Sequence, residues 1–205
     1  MIGTIFGIMY HYSSREFTEL LLAQPIKRSS IFLGQYFGIA SSLSASLVFG
    51  LGIPFLMYGI TDSSETFNFI LLLVAGILLT FIFSAIAMLV GIFNSNKIKG
   101  FGYAILIWLF FAVIYDGVIM ILLVTFSDYP IDRFALFASM LNPIDLSRIL
   151  ILLKLDISAL LGYTGALFQK FFNGNTGMIV STLVLLFWCI APVVLLLRKV
   201  RQKDF

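Results

Sequence analysis

Asp116 stands inside an unbroken apolar run, WLFFAVIYDGVIM, and is the one ionisable side chain well inside a hydrophobic stretch of this chain. A carboxylate at such depth is costly and normally faces a bundle interior or a wet cavity, which makes it a candidate for function. Two readings stand side by side. Asp116 is either a working intramembrane charge, or a carboxyl that is protonated or hydrogen-bonded to Tyr115, to a serine of another helix or to a dimer mate. Elsewhere the charges gather in two places. SSREFTELLLAQPIKRSSIFLGQ carries Arg15, Glu16 and Glu19, and NPIDLSRILILLKLD carries Asp145, Arg148, Lys154 and Asp156. Asp145 and Arg148, three apart, are neighbours on one helical turn.

Catalysis finds little to work with. ATP hydrolysis needs a phosphate-cradling GxxxxGK[ST] loop, and the sequence has none, so any ATP and magnesium belong to a separate subunit and no catalytic residue is assigned. His11 is lone and reads as an interfacial residue rather than a base or ligand. The seven methionines are scattered and read as packing, whereas copper favours clusters of cysteine, methionine or histidine. Cys189 has no second cysteine for a disulfide or zinc spacing. No metal site and no cofactor of this chain's own are expected. Nucleic acid is excluded as a partner, because no dense basic patch with interleaved aromatics appears.

The framework that holds these residues follows from composition. The 205 residues are 60% hydrophobic and 11% charged, with a mean hydropathy of +1.07. A soluble domain carries roughly 25% charged residues, so this is an integral membrane protein with lipid contacts. Stretches 31–60, 67–93, 101–126 and 178–197 are long enough to cross as helices, the form in which a single segment satisfies its own backbone in lipid. Residues 1–12 are apolar but short and count as a partial span. The expected fold class is therefore all-α, a polytopic α-helical membrane protein of one transmembrane domain.

Lysine and arginine set the orientation. Arg15, Lys27, Arg28, Lys97, Lys99, Arg198, Lys199, Arg201 and Lys203 fall on one side, and Arg133, Arg148, Lys154 and Lys170 on the other. The first side is expected to be cytoplasmic, with the C-terminus. On it, Ser13 and Glu16 form a capping-box pattern that starts a helix over 14–24. Phe17, Leu20 and Leu21 share one face of this helix, Pro25 stops it after about three turns, and Ser29 and Ser30 can cap the next. A short amphipathic helix there either rests on lipid headgroups or faces a protein, and its mixed-sign polar face suits a protein better. On the outer side, 127–177 is an amphipathic segment broken at Asn142-Pro143. Asp145 can cap the helix after the break, and Leu146, Ile149, Leu150 and Leu153 recur at helical spacing. This segment is either a hairpin dipping into the outer leaflet, with its charges solvated, or a platform for an outside protein. The serines at 41, 42, 44 and 46, with Gly38, read as allowing close helix packing rather than as lining a polar route.

Two stretches resemble known families. EFTELLLAQPIKRSSIFLGQYFG resembles the segment between the second and third spans of ABC-2 type permeases, which would make the fold an ABC-2 type transmembrane domain. In that family the segment is the coupling helix, which implies that Arg15, Glu16, Phe17, Glu19, Leu20 and Gln24 meet a cytoplasmic ATPase subunit. Gln35 stands where many relatives have lysine. NPIDLSRILILLKLDISALLGYTGALFQKFF resembles the matching part of NosY-like permeases, the membrane subunits of the Nos-type ABC complex serving nitrous oxide reductase maturation. The residues that carry it are Asn142, Pro143, Asp145, Arg148, Asp156 and Gly162 to Phe168.

That resemblance implies a homodimer in the bacterial inner membrane and a NosF-like ATPase. It also implies a periplasmic NosD-like partner docking on Asn142, Asp145, Arg148, Asp156 and Tyr163, with copper or sulfur as cargo. NosY-like permeases have six spans, and here the first and most of the second are missing, so a truncated or misassigned start is expected. An ABC-2 exporter of a lipid, drug or polysaccharide, or a membrane scaffold without an ATPase, are the alternatives.

Overall fold

A computed structural model describes residues 1–57, 65–126, 132–154 and 175–202, and every regular element among them is helical. The elements are α1 (Ile2–Ser13), α2 (Arg15–Leu22), α3 (Arg28–Met57), α4 (Glu65–Phe93) and α5 (Lys97–Leu109). A π-helical turn, Phe110–Ile114, carries α5 on into α6 (Tyr115–Thr125). After it come α7 (Asp132–Leu141), α8 (Pro143–Lys154) and α9 (Asn175–Gln202). The helices α3, α4, α5 with α6, and α9 are long and apolar enough to cross a membrane, and the chain is a multi-pass membrane protein. α7 and α8 form a pair bent by 111° at Asn142.

α4 is the hub, packed by α1, α3, α5, α8 and α9. Lipid is as apolar as leucine, so helices in a membrane are held by close fit and polar bonds rather than by escape from water. The closest fit is between α1 and α4. Gly3 and Gly7, four apart, lie against Thr80, Ser84 and Ala87, and a Cβ on Gly7 would stand 3.0 Å from that of Ala87. Beside this seam Ile8, Ile82, Phe83, Ile86, Leu146, Ile149 and Leu185 form one buried cluster. A second cluster joins α3, α4 and α9 through Phe32, Tyr36, Ile39, Met88, Ile92, Leu196 and Val200.

Local expectations are corrected at four places. Ser13 is the last residue of α1 and does not begin a capping box. Only Ser14 separates α1 from α2, and its hydroxyl donates backwards to Tyr10 O at 2.8 Å, so the break is a kink stabilised from behind rather than a capped new start. α2 is eight residues long rather than three turns, because Pro25 disfavours helical backbone at Gln24 and its ring would crowd the Leu21 carbonyl. Ser29 and Ser30 do not cap α3, which already begins at Arg28; Ser29 Oγ instead accepts from Arg201 Nε at 3.3 Å. Asp145 is not the cap of α8. Asn142 Oδ1 takes the Ile144 amide at 3.0 Å, with Pro143 at the first helical position, where a missing N–H costs nothing.

The serine-rich face of α3 is also different from expectation. Ser44 is buried, but Ser41, Ser42 and Ser46 are not, and nothing lies within 4 Å of a Cβ placed on Gly38. Close packing among the described residues is made instead by glycines of α1, α4 and α5.

Candidate functional site

The described residues hold two polar constructions, one at each end of the bundle. At the basic end, α2 lies across the foot of α1, α3 and α4. Thr18 is its one buried residue. The Thr18 hydroxyl donates to Ser14 O at 2.7 Å and accepts from the buried Gln35 Nε2 at 2.6 Å, so one oxygen ties α2 to the kink behind it and to α3 beneath it. Arg15 forms an ion pair with Glu19 (3.1 Å) and reaches Ser95 O (3.5 Å) in the turn between α4 and α5. Tyr12 donates to Asn94 O in the same turn at 2.7 Å, and Asn96 caps α5 by accepting from Ile98 and Lys99. Gly100 admits Tyr12, since a Cβ there would overlap the phenol, and Gly91 admits His11 in the same way. His11 is thus half-buried against Tyr12 and Phe32.

These ties leave the opposite face of α2 bare. Glu16 and Gln24 are exposed, and so are Phe17 (60%) and Leu20 (68%). All six residues expected to couple to an ATPase, Arg15, Glu16, Phe17, Glu19, Leu20 and Gln24, are therefore at the surface. Under α2 a cavity of about 210 Å³ opens among His11, Tyr12, Arg15, Thr18, Glu19 and Asn94.

At the other end, the elbow between α7 and α8 is fastened to the π turn. Asn142, fully buried, donates from Nδ2 to Phe111 O at 2.8 Å. Tyr115 OH donates to Ala138 O at 2.6 Å, and Trp188 Nε1 to Met140 O at 3.2 Å. Asp116 accepts from Arg148 Nη1 at 2.8 Å, and the same nitrogen is 3.8 Å from Asp145 Oδ1. Asp116 is thus paired with a cation of the bent helix pair, a partner that neither reading of the sequence had named.

The residues expected to dock an outside protein divide. Asn142 and Asp145 are buried and face the bundle, Arg148 is about half exposed, and Asp156 and Tyr163 lie outside the described residues. Sequence reasoning missed Thr18 with Gln35, Gly3 with Gly7, and the Asp116 to Arg148 pair. The glycine spacing was a readable packing signal, and so was the presence of an acid and a base in otherwise apolar surroundings. The Thr18 to Gln35 contact had none, because it depends on where α2 lands. No group of three or more His, Cys, Asp or Glu among the described residues is placed to share a metal ion.

Comparison with known proteins adds a family and two relatives. The family described as ABC-2 family transporter protein matches residues 17–204. A probable ABC transporter permease protein NosY of Stutzerimonas stutzeri is 27% identical over 136 residues, covering 64% of this chain and 49% of that protein. Its namesake from Pseudomonas aeruginosa is 29% identical over 146 residues, covering 68% of this chain and 53% of that protein. The chain spans about half the length of the curated relatives it matches.

Proposed function

This chain belongs to the ABC-2 family of transporter proteins, as a permease-type membrane subunit, and from that premise we propose that α2 is its coupling helix, docking a separate ABC ATPase at a cytoplasmic basic end. The observation that carries the reading is the division of labour on α2. Its inward side is tied to the kink after α1 and to α3 by Thr18 and to the α4–α5 turn by Arg15, while Phe17 and Leu20 are exposed beside Glu16 and Glu19. Two exposed apolar side chains ringed by mixed charges are the composition of a protein contact, with an apolar centre and a polar rim. A push on that face would reach α3 through Thr18 and Gln35 and the α4–α5 turn through Arg15.

In the finer reading, two copies work as a homodimer in the bacterial inner membrane, with the C-terminus cytoplasmic. ATP-driven closure of a NosF-like ATPase pair would press both α2 helices, tilt the bundles and change the outer surface offered to a periplasmic NosD-like protein. Copper or sulfur cargo would then pass to nitrous oxide reductase undergoing maturation. Support for this version comes from the resemblance over Asn142 to Phe168 and from the two NosY relatives. ATP and magnesium would sit on the ATPase, and the chain itself is read as non-catalytic.

The test is affinity purification of the chain in mild detergent under denitrifying growth, with mass spectrometry of the proteins that accompany it. An ABC ATPase that is retained by the native chain and lost with Phe17→Asp or Leu20→Asp supports the coupling role. Recovery of the ATPase with both variants unchanged would remove it. A periplasmic repeat protein in the same eluate supports the Nos-type version, and the ATPase alone points to a general exporter.

A further inference from the structure

The span built from α5, the π turn and α6 is held very differently along its length. α5 buries Gly100 and Ala104 against its neighbours, whereas α6 has no buried residue and packs chiefly on α7. Between them the helix is interrupted: at the π turn the Tyr115 amide bonds to Phe110 O, five residues back. Such turns are single wide rings within an α-helix and often mark places where a helix works. The neutral hydrogen bonds to the elbow, Asn142 to Phe111 O and Tyr115 to Ala138 O, are made at this turn or beside it. They fix the joint without fixing the helix beyond it.

The charged tie has a second place to go. Arg148 Nη1 is bound to Asp116 Oδ2 at 2.8 Å, and 3.8 Å away on its own helix is Asp145 Oδ1, which is buried and has no hydrogen-bond partner. A buried carboxylate oxygen left without a hydrogen bond is unfavourable, and a guanidinium brought about 1 Å closer would satisfy it. One cation thus stands between two carboxylates, of which one belongs to α6 and one to the same helix as the cation. Two arrangements of similar chemistry separated by a small displacement are what a two-state element requires.

We propose that α6 is an arm pivoting on the π turn, and that Arg148 is its latch: bound to Asp116 it holds α6 against the bent pair, and exchanged to Asp145 it lets α6 go. In the released state Asp145 is satisfied within α8, and Asp116, already half exposed, swings away with the arm. The latch lies at the end of the bundle away from α2, and its test uses this chain alone. Failure of the latch and failure of the ATPase-docking reading are therefore separately visible.

The experiment is pulsed electron double resonance on the full chain in nanodiscs, in a Cys189→Ala background. Spin labels at Val124 and Phe137 report α6 against α7, and labels at Val124 and Ile179 report α6 against α9; all three positions are exposed. The two isosteric carboxylate variants are expected to act in opposite directions. Asp116→Asn hands Arg148 to Asp145, so a second, longer Val124–Phe137 distance appears or grows several-fold. Asp145→Asn leaves Arg148 no alternative, so that longer distance shrinks or vanishes. The charge exchange Asp116→Arg with Arg148→Asp gives a control that keeps opposite charges in place. Both carboxylates then sit on α8, the arginine cannot leave it, and only the short distance is expected. A static structural ion pair would loosen with Asp116→Asn and stay closed in the exchanged pair, but would leave the Asp145→Asn distances as they are in the native chain, so that an unchanged Asp145→Asn distribution also overturns the proposal. Same-direction shifts in the two single variants, or no shift in either, overturn the proposal. Should Asp116→Asn not elute as a single species, Asp145→Asn compared with the native chain decides alone: a longer distance present in the native chain and lost in the variant supports the latch, and an unchanged distribution refutes it.

Discussion

The α1–α4 seam and the π-turn elbow are both contacts between helices in an apolar medium, yet they are made by opposite means. At the seam, Gly3 and Gly7 bring backbone against backbone, and the fit depends on atoms that are absent. At the elbow, Asn142, Tyr115 and Arg148 reach across with polar side chains to carbonyls and a carboxylate. A contact made by missing side chains has one arrangement, because any added atom collides. A contact made by side-chain bonds can be re-formed with a different partner. The difference is the one the proposed coupling would use, with one end that passes on a push and another that changes shape.

The largest expected effect that would break this comparison is at the seam. Gly7→Val puts a branched side chain where a Cβ is already 3.0 Å from Ala87, and should destabilise by at least the roughly 1–3 kcal/mol of an overpacked core, seen as a lower melting point in detergent. Gly34→Val on α3 is the control, since nothing lies within 4 Å of a Cβ there and melting should not change. Equal losses for the two would mean that the seam is not specially close.

Next is the elbow. Asn142→Ala removes the cap of α8 and leaves Phe111 O without its donor, for a combined loss of roughly 2–3 kcal/mol. Asn142→Asp keeps the cap acceptor and loses the donor, so it should recover about 1 kcal/mol of this. The split between the two in thermal unfolding sharpens how much the elbow owes to each bond.

A smaller effect is expected at Thr18→Val, which keeps shape and removes the hydroxyl between Gln35 and Ser14. Stability should fall by about 1–2 kcal/mol as the buried Gln35 amide loses its partner, and proteolysis at α2 should quicken. Smallest is Arg15→Ala, whose exposed i,i+4 pair contributes roughly 0.3–0.5 kcal/mol, and less in high salt. A much larger loss in urea titration would show that the 3.5 Å contact to Ser95 O, not the pair, holds α2 down.

Legibility in the sequence tracks the same contrast. Helices stood out because a run such as FILLLVAGILLTFIFSAIAMLVGIF has length and hydropathy that admit no other form in lipid, and α3, α4, α5 with α6, and α9 begin within a few residues of where the hydropathy puts them. Caps were poorly legible. Ser13, Ser29, Ser30 and Asp145 all have the right chemistry to cap, but a hydroxyl or carboxylate serves as a cap only if the chain turns at that residue, and it turns one to three positions away. The exposed residues proposed for coupling could be nominated from the EFTELLLAQP pattern, while the inward residue that holds their helix, Thr18, could not.

By itself the amino-acid sequence determined the medium, the number of long apolar helices, the family and the residues with chemistry to offer, because each of these depends on composition, run length or local spacing. Only the tertiary structure decided who meets whom. Asp116 and Arg148 are 32 residues apart, on elements whose crossing depends on a 111° bend and a π turn that no local preference announces. A charge in an apolar segment must find a partner, and the sequence states that need; which partner it finds is set by the geometry of the whole bundle.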